Sequence, residues 1–466
     1  GWIKDIEETQ GHAVTYPLIA DPERKVAELS RGFSSEQRVS ADKKPLAARA
    51  ALSPLREPAR SAAPQTQAAL AGAPRSSAPE KEPRPTSITS AQNLKAYWKE
   101  GLRFDSADKS QRLRVGGRIM NDWGFFSAGD ELNDAVGPVV NGTEFRRAGL
   151  YFSGRMYDRV NFKAQYAFPG GSAGFKDVYI GIDKIPGVGK VQVGHFKEPF
   201  SLERQTSSNY ITFMERSLAN VFAPERNSGM MVANTGFDKR LTWALGAFRD
   251  SDGFGEASGP GNYAVTGRVT TSPWYADGGS KLLHLGLAYS HRNPTGDTLR
   301  VRQRPEAHLT TRFVDTGRFP AASQDLVGVE AALVVGPASF QSEYIHNSVR
   351  QPNGGDLSFG SFYLQGGYFI TGERRPHRDS GGYFSRVKPL HNLGDRNGWG
   401  AWEIALRYSQ LDLNDRRVRG GKLRDGTLGL NWYLNPHTRF MWNYVFADRV
   451  ELGEAHLFQT RFQVDF

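Results

Sequence analysis

Residues 456–466, HLFQTRFQVDF, alternate apolar and polar side chains with a period of two. One parity holds the apolar Phe458, Phe462, Val464 and Phe466, and the other holds Gln459, Arg461, Gln463 and Asp465. Successive side chains of an extended chain point to opposite faces. The stretch therefore predicts a β-strand with one apolar and one polar face.

The same alternation recurs through most of the chain. It is clear in VGGRIMNDWGFF (115–126), VNFKAQYAF (160–168), AWEIALRYSQL (401–411) and TRFMWNYVF (438–446). About sixteen such segments lie between Arg112 and Phe466, roughly the number that a barrel needs to enclose an aqueous lumen. Short connections such as DKIPGVG, VVGPAS and LNPHT alternate with longer ones. A soluble β-sandwich shows the same alternation, but this number favours an all-β, sixteen-stranded antiparallel transmembrane β-barrel.

Composition excludes several classes of protein. The chain has 466 residues, a net charge of +10 and no cysteine, so thiol catalysis, disulfides and cysteine-ligated metals are excluded. No run of about 18 apolar residues occurs, which argues against a membrane-spanning helix. A membrane β-barrel fits this composition, because its alternating strands average to a polar sequence.

The composition and pattern of the first 92 residues differ from those of the rest of the chain. Residues 1–29, GWIKDIEETQGHAVTYPLIADPERKVAEL, resemble the segment downstream of the reactive cysteine in one-cysteine peroxiredoxins. Since the chain has no cysteine, we expect this fragment, residues 1–30, to be non-functional. Residues 31–92 are rich in proline and alanine and predict a disordered linker before a barrel domain at 93–466. No apolar leader follows Gly1, and we expect any secretion signal to lie outside this chain.

Several blocks, in order, resemble the phosphate-selective porins O and P: LRVGGRIMNDWGFF, EFRRAGLYFSGRMYDRVNFKAQY, SAGFKDVYIG, GHFKEPFSLERQTSSNYITFMERS and LGLNWYLNP. The resemblance runs from about Asn93 to the C-terminus, and a last strand ending in phenylalanine is similar to the assembly signal of outer-membrane barrels. It implies a homotrimeric, sixteen-stranded channel of the bacterial outer membrane, embedded in lipid, that passes phosphate or polyphosphate without a cofactor. In this family arginines line the lumen, and the third extracellular loop folds inward.

The stretch RVRQR carries a row of arginines at alternate positions, Arg300, Arg302 and Arg304. In an extended chain these side chains would share one face. Taken alone, the residues favour a solvated loop. The resemblance instead implies an arginine ladder in the extracellular vestibule.

The resemblance also implies lumenal arginines on the first two barrel strands. Arg118 would face the lumen, and its parity independently agrees. Arg146 and Arg147 would form an adjacent pair at the constriction, but neighbours on a strand point in opposite directions. Arg147 has the parity of Tyr151, and Arg146 could instead snorkel or lie beyond the strand end.

The segment 196–227 lacks alternation and predicts a long constriction loop. The resemblance implies that Arg204 replaces a lysine at the central anion site, with Ser207 as a hydroxyl donor and Arg216 as a further lumenal arginine. An arginine fork binds phosphate differently from a compact ammonium, so the resemblance does not fix the selectivity at this position. Arg216 could instead pair with Glu215. Asp177 would moderate the central charge, or be a generic lumenal carboxylate.

Rival functions find less support in the residues. An enzyme would need an oriented Ser/His pair, and the ten histidines show no catalytic or metal-ligand spacing, so we predict neither an enzyme nor a metal site. A nucleic-acid binder would place aromatic and basic side chains on one surface, whereas here they take opposite parities. The alternative that stays open is a general anion porin or a channel for another anionic solute.

Overall fold

The computed structural model of the protein describes residues 94–466. The predicted peroxiredoxin-like fragment (1–30) and linker (31–92) lie outside these residues. Within the described range, no helix is long and apolar enough to cross a membrane.

Sixteen long antiparallel strands close into a barrel, as the alternation predicts. The strands are, in chain order, β1 (Lys95–Trp98), β2 (Leu102–Asp105), β3 (Arg112–Ala128), β4 (Gly142–Met156), β5 (Val160–Ala167), β6 (Gly174–Ile185), β7 (Gly189–Lys197), β8 (Arg226–Gly236), β9 (Leu241–Arg249), β10 (Tyr263–Ala276), β11 (Lys281–Arg292), β12 (Thr298–Leu299), β13 (Arg302–Gln303), β14 (Val314–Asp315), β15 (Phe319–Pro320), β16 (Ser323–Val335), β17 (Ala338–Arg350), β18 (Leu357–Phe369), β19 (His377–Arg378), β20 (Tyr383–Phe384), β21 (Ala401–Asp415), β22 (Val418–Asn435), β23 (Thr438–Arg449) and β24 (Gly453–Asp465). The barrel strands are β3–β11, β16–β18 and β21–β24, and β24 pairs with β3 from Ala455↔Ala128 to Asp465↔Arg118. Closure leaves these strands without a free edge, which a sheet in hydrocarbon requires.

Two short helices lie in the connections, α1 (Asp130–Val136) and α2 (Leu202–Gln205). Single 3-10 turns occur at Pro169–Gly171, Leu218–Val221, Asp277–Gly279, Thr295–Asp297 and Asp379–Gly381.

The two faces of the barrel wall have inverted polarity relative to a soluble protein. On β21, Leu406 is 64% exposed on the outer face, whereas the side chain of its neighbour Arg407 is 1% exposed on the inner face. The alternation seen in AWEIALRYSQL therefore sets an apolar outer surface against a polar interior, the arrangement of a barrel embedded in lipid.

Aromatic side chains cluster on the outer surface of β21–β24 near the rim that carries the turn between β22 and β23. The Trp402 ring stacks on Trp432 at 5.1 Å and on Trp442 at 6.4 Å, and Phe440 meets Phe462 edge to face at 5.0 Å. Amphipathic rings of this kind lie at the boundary between hydrocarbon and water.

The two rims differ in their connections. One, here called the turn rim, carries the tight turns 157–159, 186–188, 237–240, 277–280, 336–337 and 436–437 and one long segment, 370–400. The other, the loop rim, carries 129–141, 168–173, 198–225, 250–262, 293–322, 351–356, 416–417 and 450–452. The expected asymmetry holds for most connections, but 416–417 and 450–452 are short although they lie on the loop rim. The long segment 370–400 lies on the turn rim, and alternation could not reveal it because this segment does not continue a barrel strand.

A hairpin of β1 and β2, absent from the sequence prediction, extends the wall at the turn rim. β2 pairs with the start of β3, in line with β24, and Trp98 stacks on Phe466 at 6.3 Å. Phe466 also exchanges backbone hydrogen bonds with Gly117 at 2.8 and 2.9 Å. A Cβ at Gly116 would come within 2.3 Å of the Phe466 carbonyl oxygen, so this junction requires glycine.

We expect Leu406→Arg to lower the free energy of unfolding in lipid by about 2–4 kcal/mol, because it places a charge on the lipid face of β21, away from both rims. Ser358→Arg, on the exposed start of β18 at the loop rim, is the matched control and should cost about 0–1 kcal/mol. Reversible unfolding in vesicles measures both values. Equal losses in the two variants would mean that Leu406 does not face lipid.

Candidate functional site

The 198–225 loop folds into the lumen and is fixed to the wall by buried hydrogen bonds. The Glu343 carboxylate on β17 accepts from the backbone N–H groups of Leu202 (2.9 Å) and Glu203 (2.7 Å). Lys197 Nζ, where the loop leaves β7, donates to the Arg204 and Gln205 carbonyls at 2.5 and 3.3 Å. The predicted inward loop is therefore present, and these backbone N–H groups and carbonyls of the loop have side-chain partners on the wall.

Two fully buried arginines hold the inward loops against the β21–β24 wall. Arg461 binds both oxygens of Asp122 at 2.7 and 2.6 Å and reaches Glu215 of the 198–225 loop at 2.9 Å. Arg407 donates through Nε to Glu306 of the 293–322 loop at 2.9 Å and lies 3.4 Å from Glu203. Both loops are thus docked on the same side of the barrel.

The 370–400 segment also enters the lumen, from the turn rim, and meets the 198–225 loop. The Phe384 N–H donates to Thr206 Oγ1 at 3.3 Å, and Arg386 Nη2 donates to the Tyr210 hydroxyl at 3.0 Å. Arg386 also pairs with Asp465 on β24. The lumen is therefore narrowed from both rims.

A cavity of about 1100 Å³ remains between these segments and the wall from β3 to β10. Within the described residues, the long strands β11, β16–β18 and β21–β23 contribute nothing to its lining. Fifteen lining side chains are cationic, namely Arg114, Arg118, Arg146, Arg147, Lys163, Lys176, Lys184, Lys190, Lys197, Arg204, Arg216, Arg226, Arg268, Arg378 and Arg386. Five are carboxylates, namely Glu100, Asp177, Asp183, Glu225 and Asp465. The cavity therefore carries a large excess of positive charge.

A β-bulge turns both Arg146 and Arg147 towards this cavity. Met120 of β3 pairs with Arg147 and the next residue, Asn121, pairs with Phe145, so Arg146 is the extra residue on β4. A bulge breaks the alternation locally and lets consecutive side chains share a face. Arg146 thus lies within β4 and lines the cavity beside Arg147, so the alternative that it snorkels or lies beyond the strand end does not hold.

The two bulge arginines are paired unequally with Glu215 of the 198–225 loop. Arg146 binds both oxygens of Glu215, at 2.8 and 2.9 Å. Arg147 is 3.7 Å from the same carboxylate, and its hydrogen-bonding geometry reaches only the Met120 sulfur at 4.0 Å. Arg147 therefore keeps most of its donors for a solute.

A second bulge turns Lys176 and Asp177 of β6 inward. Ala164 pairs with Val178 and Tyr166 pairs with Phe175, so Gln165 alone opposes these two consecutive residues. Both line the cavity. Asp177 binds Lys163 at 2.6 Å and Arg226 at 2.7 Å, so it is a paired carboxylate rather than a free one.

Arg118 and Ser207 lie where expected on the cavity surface. Arg118 Nη1 donates to Ser208 Oγ at 2.7 Å and to Asn209 Oδ1 at 3.0 Å, both on the 198–225 loop. The Ser207 hydroxyl oxygen accepts from the Asn209 N–H at 3.3 Å, which leaves its proton available.

Arg204 and Arg216 line the cavity, but much of their hydrogen-bonding capacity is used within the loop. Arg204 pairs with Glu225 at 2.8 Å and donates to the Ala223 carbonyl at 2.9 Å. Its charge lowers the pKa of the Glu225 carboxyl to about 2. Arg216 donates to the carbonyls of Glu203 and Thr206, at 3.0 and 2.9 Å. Among the residues that the structure describes, Arg216 does not form the alternative ion pair with Glu215.

The arginine row lies on the 293–322 loop at the loop rim, outside the cavity lining. Arg300 pairs with Asp315, at 2.8 Å from Nε, and is exposed. Arg302 is exposed on β13, and Arg304 Nε donates to the Thr310 carbonyl at 2.7 Å. Arg300 and Arg302 are both exposed, as the alternate spacing predicts. Asp315, however, neutralises the charge of Arg300.

Ten of the cavity's fifteen cations were not among the site residues predicted from the sequence. The inward direction of Lys163 could be inferred from the sequence, since Lys163 alternates with apolar Phe162 and Ala164 in VNFKAQYAF. The inward direction of Lys176 could not, because it depends on the bulge. Arg378 and Arg386 lie on the 370–400 segment, whose path is set by tertiary contacts.

Comparison with known proteins agrees with this architecture. The family described as "Phosphate-selective porin O and P" matches residues 113–466. The chain is 31% identical over 379 residues to an uncharacterized protein of Caulobacter vibrioides, covering 78% of this chain and 72% of that protein. It is 26% identical over 405 residues to Porin O of Pseudomonas aeruginosa, covering 78% of this chain and 89% of that protein.

Among solved structures, an anion-selective porin from Comamonas acidovorans is similar with a TM-score of 0.49 and 13% identity, covering 76% of this chain and all of that one. OprB of Pseudomonas putida is similar with a TM-score of 0.47 and 10% identity, covering 77% of this chain and 95% of that one. The family and the barrel point to a channel rather than an enzyme. With its closed sixteen-stranded barrel, the chain belongs to the phosphate-selective porin O and P family and is a porin of the bacterial outer membrane.

Proposed function

We propose that the protein is an anion channel through which phosphate or polyphosphate diffuses across the outer membrane, and that it works as a homotrimer. The observation that carries the proposal is the lining of the cavity, where fifteen cationic side chains face five carboxylates. Walls of one charge sign and low dielectric constant concentrate the opposite ion. The family's description, phosphate-selective porin O and P, points to the same class of solute.

Conduction requires that the anion is attracted without being trapped. At an effective dielectric constant near 20, one cation about 4 Å from a unit anionic charge contributes about 4 kcal/mol before desolvation. Several unopposed cations at one place would hold the ion, whereas several shallow sites let it move on. Carboxylates inside the cluster supply this moderation.

Glu215 and Asp177 are the moderating acids in this proposal. Burial alone would raise the pKa of the Glu215 carboxyl, but Arg146, Arg147 and Arg461 hold it well below its usual range. Glu215 is therefore negative at neutral pH and offsets part of the charge of the arginine pair. Asp177 does the same for Lys163 and Arg226, in agreement with the moderating role that the resemblance implies.

Directional donors distinguish phosphate from chloride. We assign Arg118, Arg147 and Ser207 to direct hydrogen bonding, because each lines the cavity with donor capacity left over. Arg146, Arg204 and Arg216 act mainly through their charge, since carboxylates or carbonyls occupy much of their donor set. Phosphate accepts charge-assisted hydrogen bonds on several oxygens, and chloride has no such directional acceptors.

The deciding experiment is phosphate inhibition of chloride current through the wild-type channel in a planar bilayer. We expect the reversal potential in a potassium chloride gradient to show anion preference and phosphate to block the chloride current. Anion preference without any block would favour the alternative, a general anion porin. A cation-selective channel would overturn the proposal.

Glu215→Gln should tighten phosphate block and lower the chloride conductance, because it removes the negative charge that offsets Arg146 and Arg147. Glu131→Gln, on the exposed helix α1, makes the same chemical change away from the cavity and should leave both quantities unchanged. Weaker block in Glu215→Gln would mean that this carboxylate organises the site rather than moderating it.

Replacing Arg300, Arg302 and Arg304 together by alanine tests a vestibule role for the arginine row. Conductance should fall most at low salt, because exposed charges are screened within about 10 Å at 0.1 M salt. Anion preference should weaken but persist, since the cavity is intact. Conductance equal to wild type from low to high salt would identify the row as a solvated loop.

A further inference from the structure

Lys176 stands out among the cations where the 198–225 loop leaves and rejoins the wall. Four other cations at this place are committed to protein groups. Lys197 and Arg216 bind backbone carbonyls, Arg204 binds Glu225, and Arg226 binds Asp177. Lys176 forms no ion pair and no hydrogen bond with any residue in 94–466, although it lines the cavity.

The carboxylate next to Lys176 in sequence does not neutralise it. The bulge in β6 aims both side chains inward, but the two oxygens of Asp177 are taken by Lys163 (2.6 Å) and Arg226 (2.7 Å). The same device occurs on β4, where one bulge residue, Arg146, is fully paired and its neighbour Arg147 is not. Each bulge thus supplies one paired charge and one cation that faces the cavity.

The surroundings of Lys176 favour an anion as its partner. It is only partly exposed, so its ammonium group has lost part of its hydration. The charges that act on it are, in decreasing order, Arg226, Glu225, Arg118 and Arg147, so three of the four are positive. A partly desolvated cation among like charges is unfavourable unless an opposite charge joins it.

We propose that Lys176 is an anion-binding residue of this channel that sets its preference for doubly charged oxyanions of the phosphate class over chloride. The inference rests on the proposed function and deepens it. Arg147 and Arg118 present planar guanidinium donors, whereas Lys176 presents a compact ammonium with three donors on a flexible stem. A phosphate held by an arginine can offer another oxygen, and its second charge, to Lys176.

The test compares Lys176→Gln, Lys176→Arg and the control Lys239→Gln, which removes the same charge from an exposed turn at the turn rim outside the cavity lining. The readouts are the inorganic phosphate concentration that halves the chloride current and the chloride conductance at 1 M salt. We expect Lys176→Gln to raise the half-blocking concentration about tenfold, which corresponds to about 1.4 kcal/mol. Lys176→Arg should stay within about threefold of wild type and Lys239→Gln within about twofold. Chloride conductance at 1 M salt should change little, because screening at that salt is strong.

The outcomes separate the two claims. Equal block in wild type, Lys176→Gln and Lys239→Gln would overturn the role of Lys176 while leaving a phosphate channel in place. Wild-type chloride current that phosphate does not block would overturn the proposed function and this inference with it. Heat-modifiable migration of every variant shows that the barrel is folded, so a change in block reports on the cavity.

Discussion

The shape of the channel depends on two buried ion-pair clusters centred on Arg407 and Arg461. Burying charges is costly, and such pairs persist only when nearly every donor and acceptor is satisfied. Arg461 meets this condition with Asp122, Glu215 and the Met214 carbonyl, and Arg407 meets it with carboxylates of both inward loops. Removing one partner of such a cluster typically costs about 3–5 kcal/mol, because the remaining buried charge is left uncompensated.

Because the loops are docked on the β21–β24 side, the open space lies against β3–β10. The wall charges that face this space are therefore those on β3–β10. Two β-bulges raise the density of inward charge there beyond what strict alternation allows. Each places a paired residue, Arg146 or Asp177, beside a cation with free donors, Arg147 or Lys176. A paired charge and a cation with free donors thus occupy adjacent positions of the same strand.

Much of the fold could be predicted from the sequence, because strand alternation is a local property. Along each strand, apolar side chains face the lipid and polar side chains face the lumen. Leu406 and Arg407 are separated by one position and lie on opposite faces, as their types require. Lost alternation predicted a long loop at 198–225, and only the family resemblance implied that it folds inward. Bulges are not, because whether Arg146 faces in or out depends on how Met120 and Asn121 pair across the sheet. The 370–400 segment was missed because contacts such as Arg386 with Asp465 and Tyr210 hold it in the lumen.

The central claim is that solute anions bind on the β3–β10 wall, beside the free bulge cations. Crystals soaked in arsenate, a phosphate analogue with a usable anomalous signal, would locate the anion directly. We expect anomalous density within hydrogen-bonding distance of Arg147 or Lys176, close to Arg118. Arsenate found only at the exposed Arg302 region of the 293–322 loop, with none in the cavity, would contradict it.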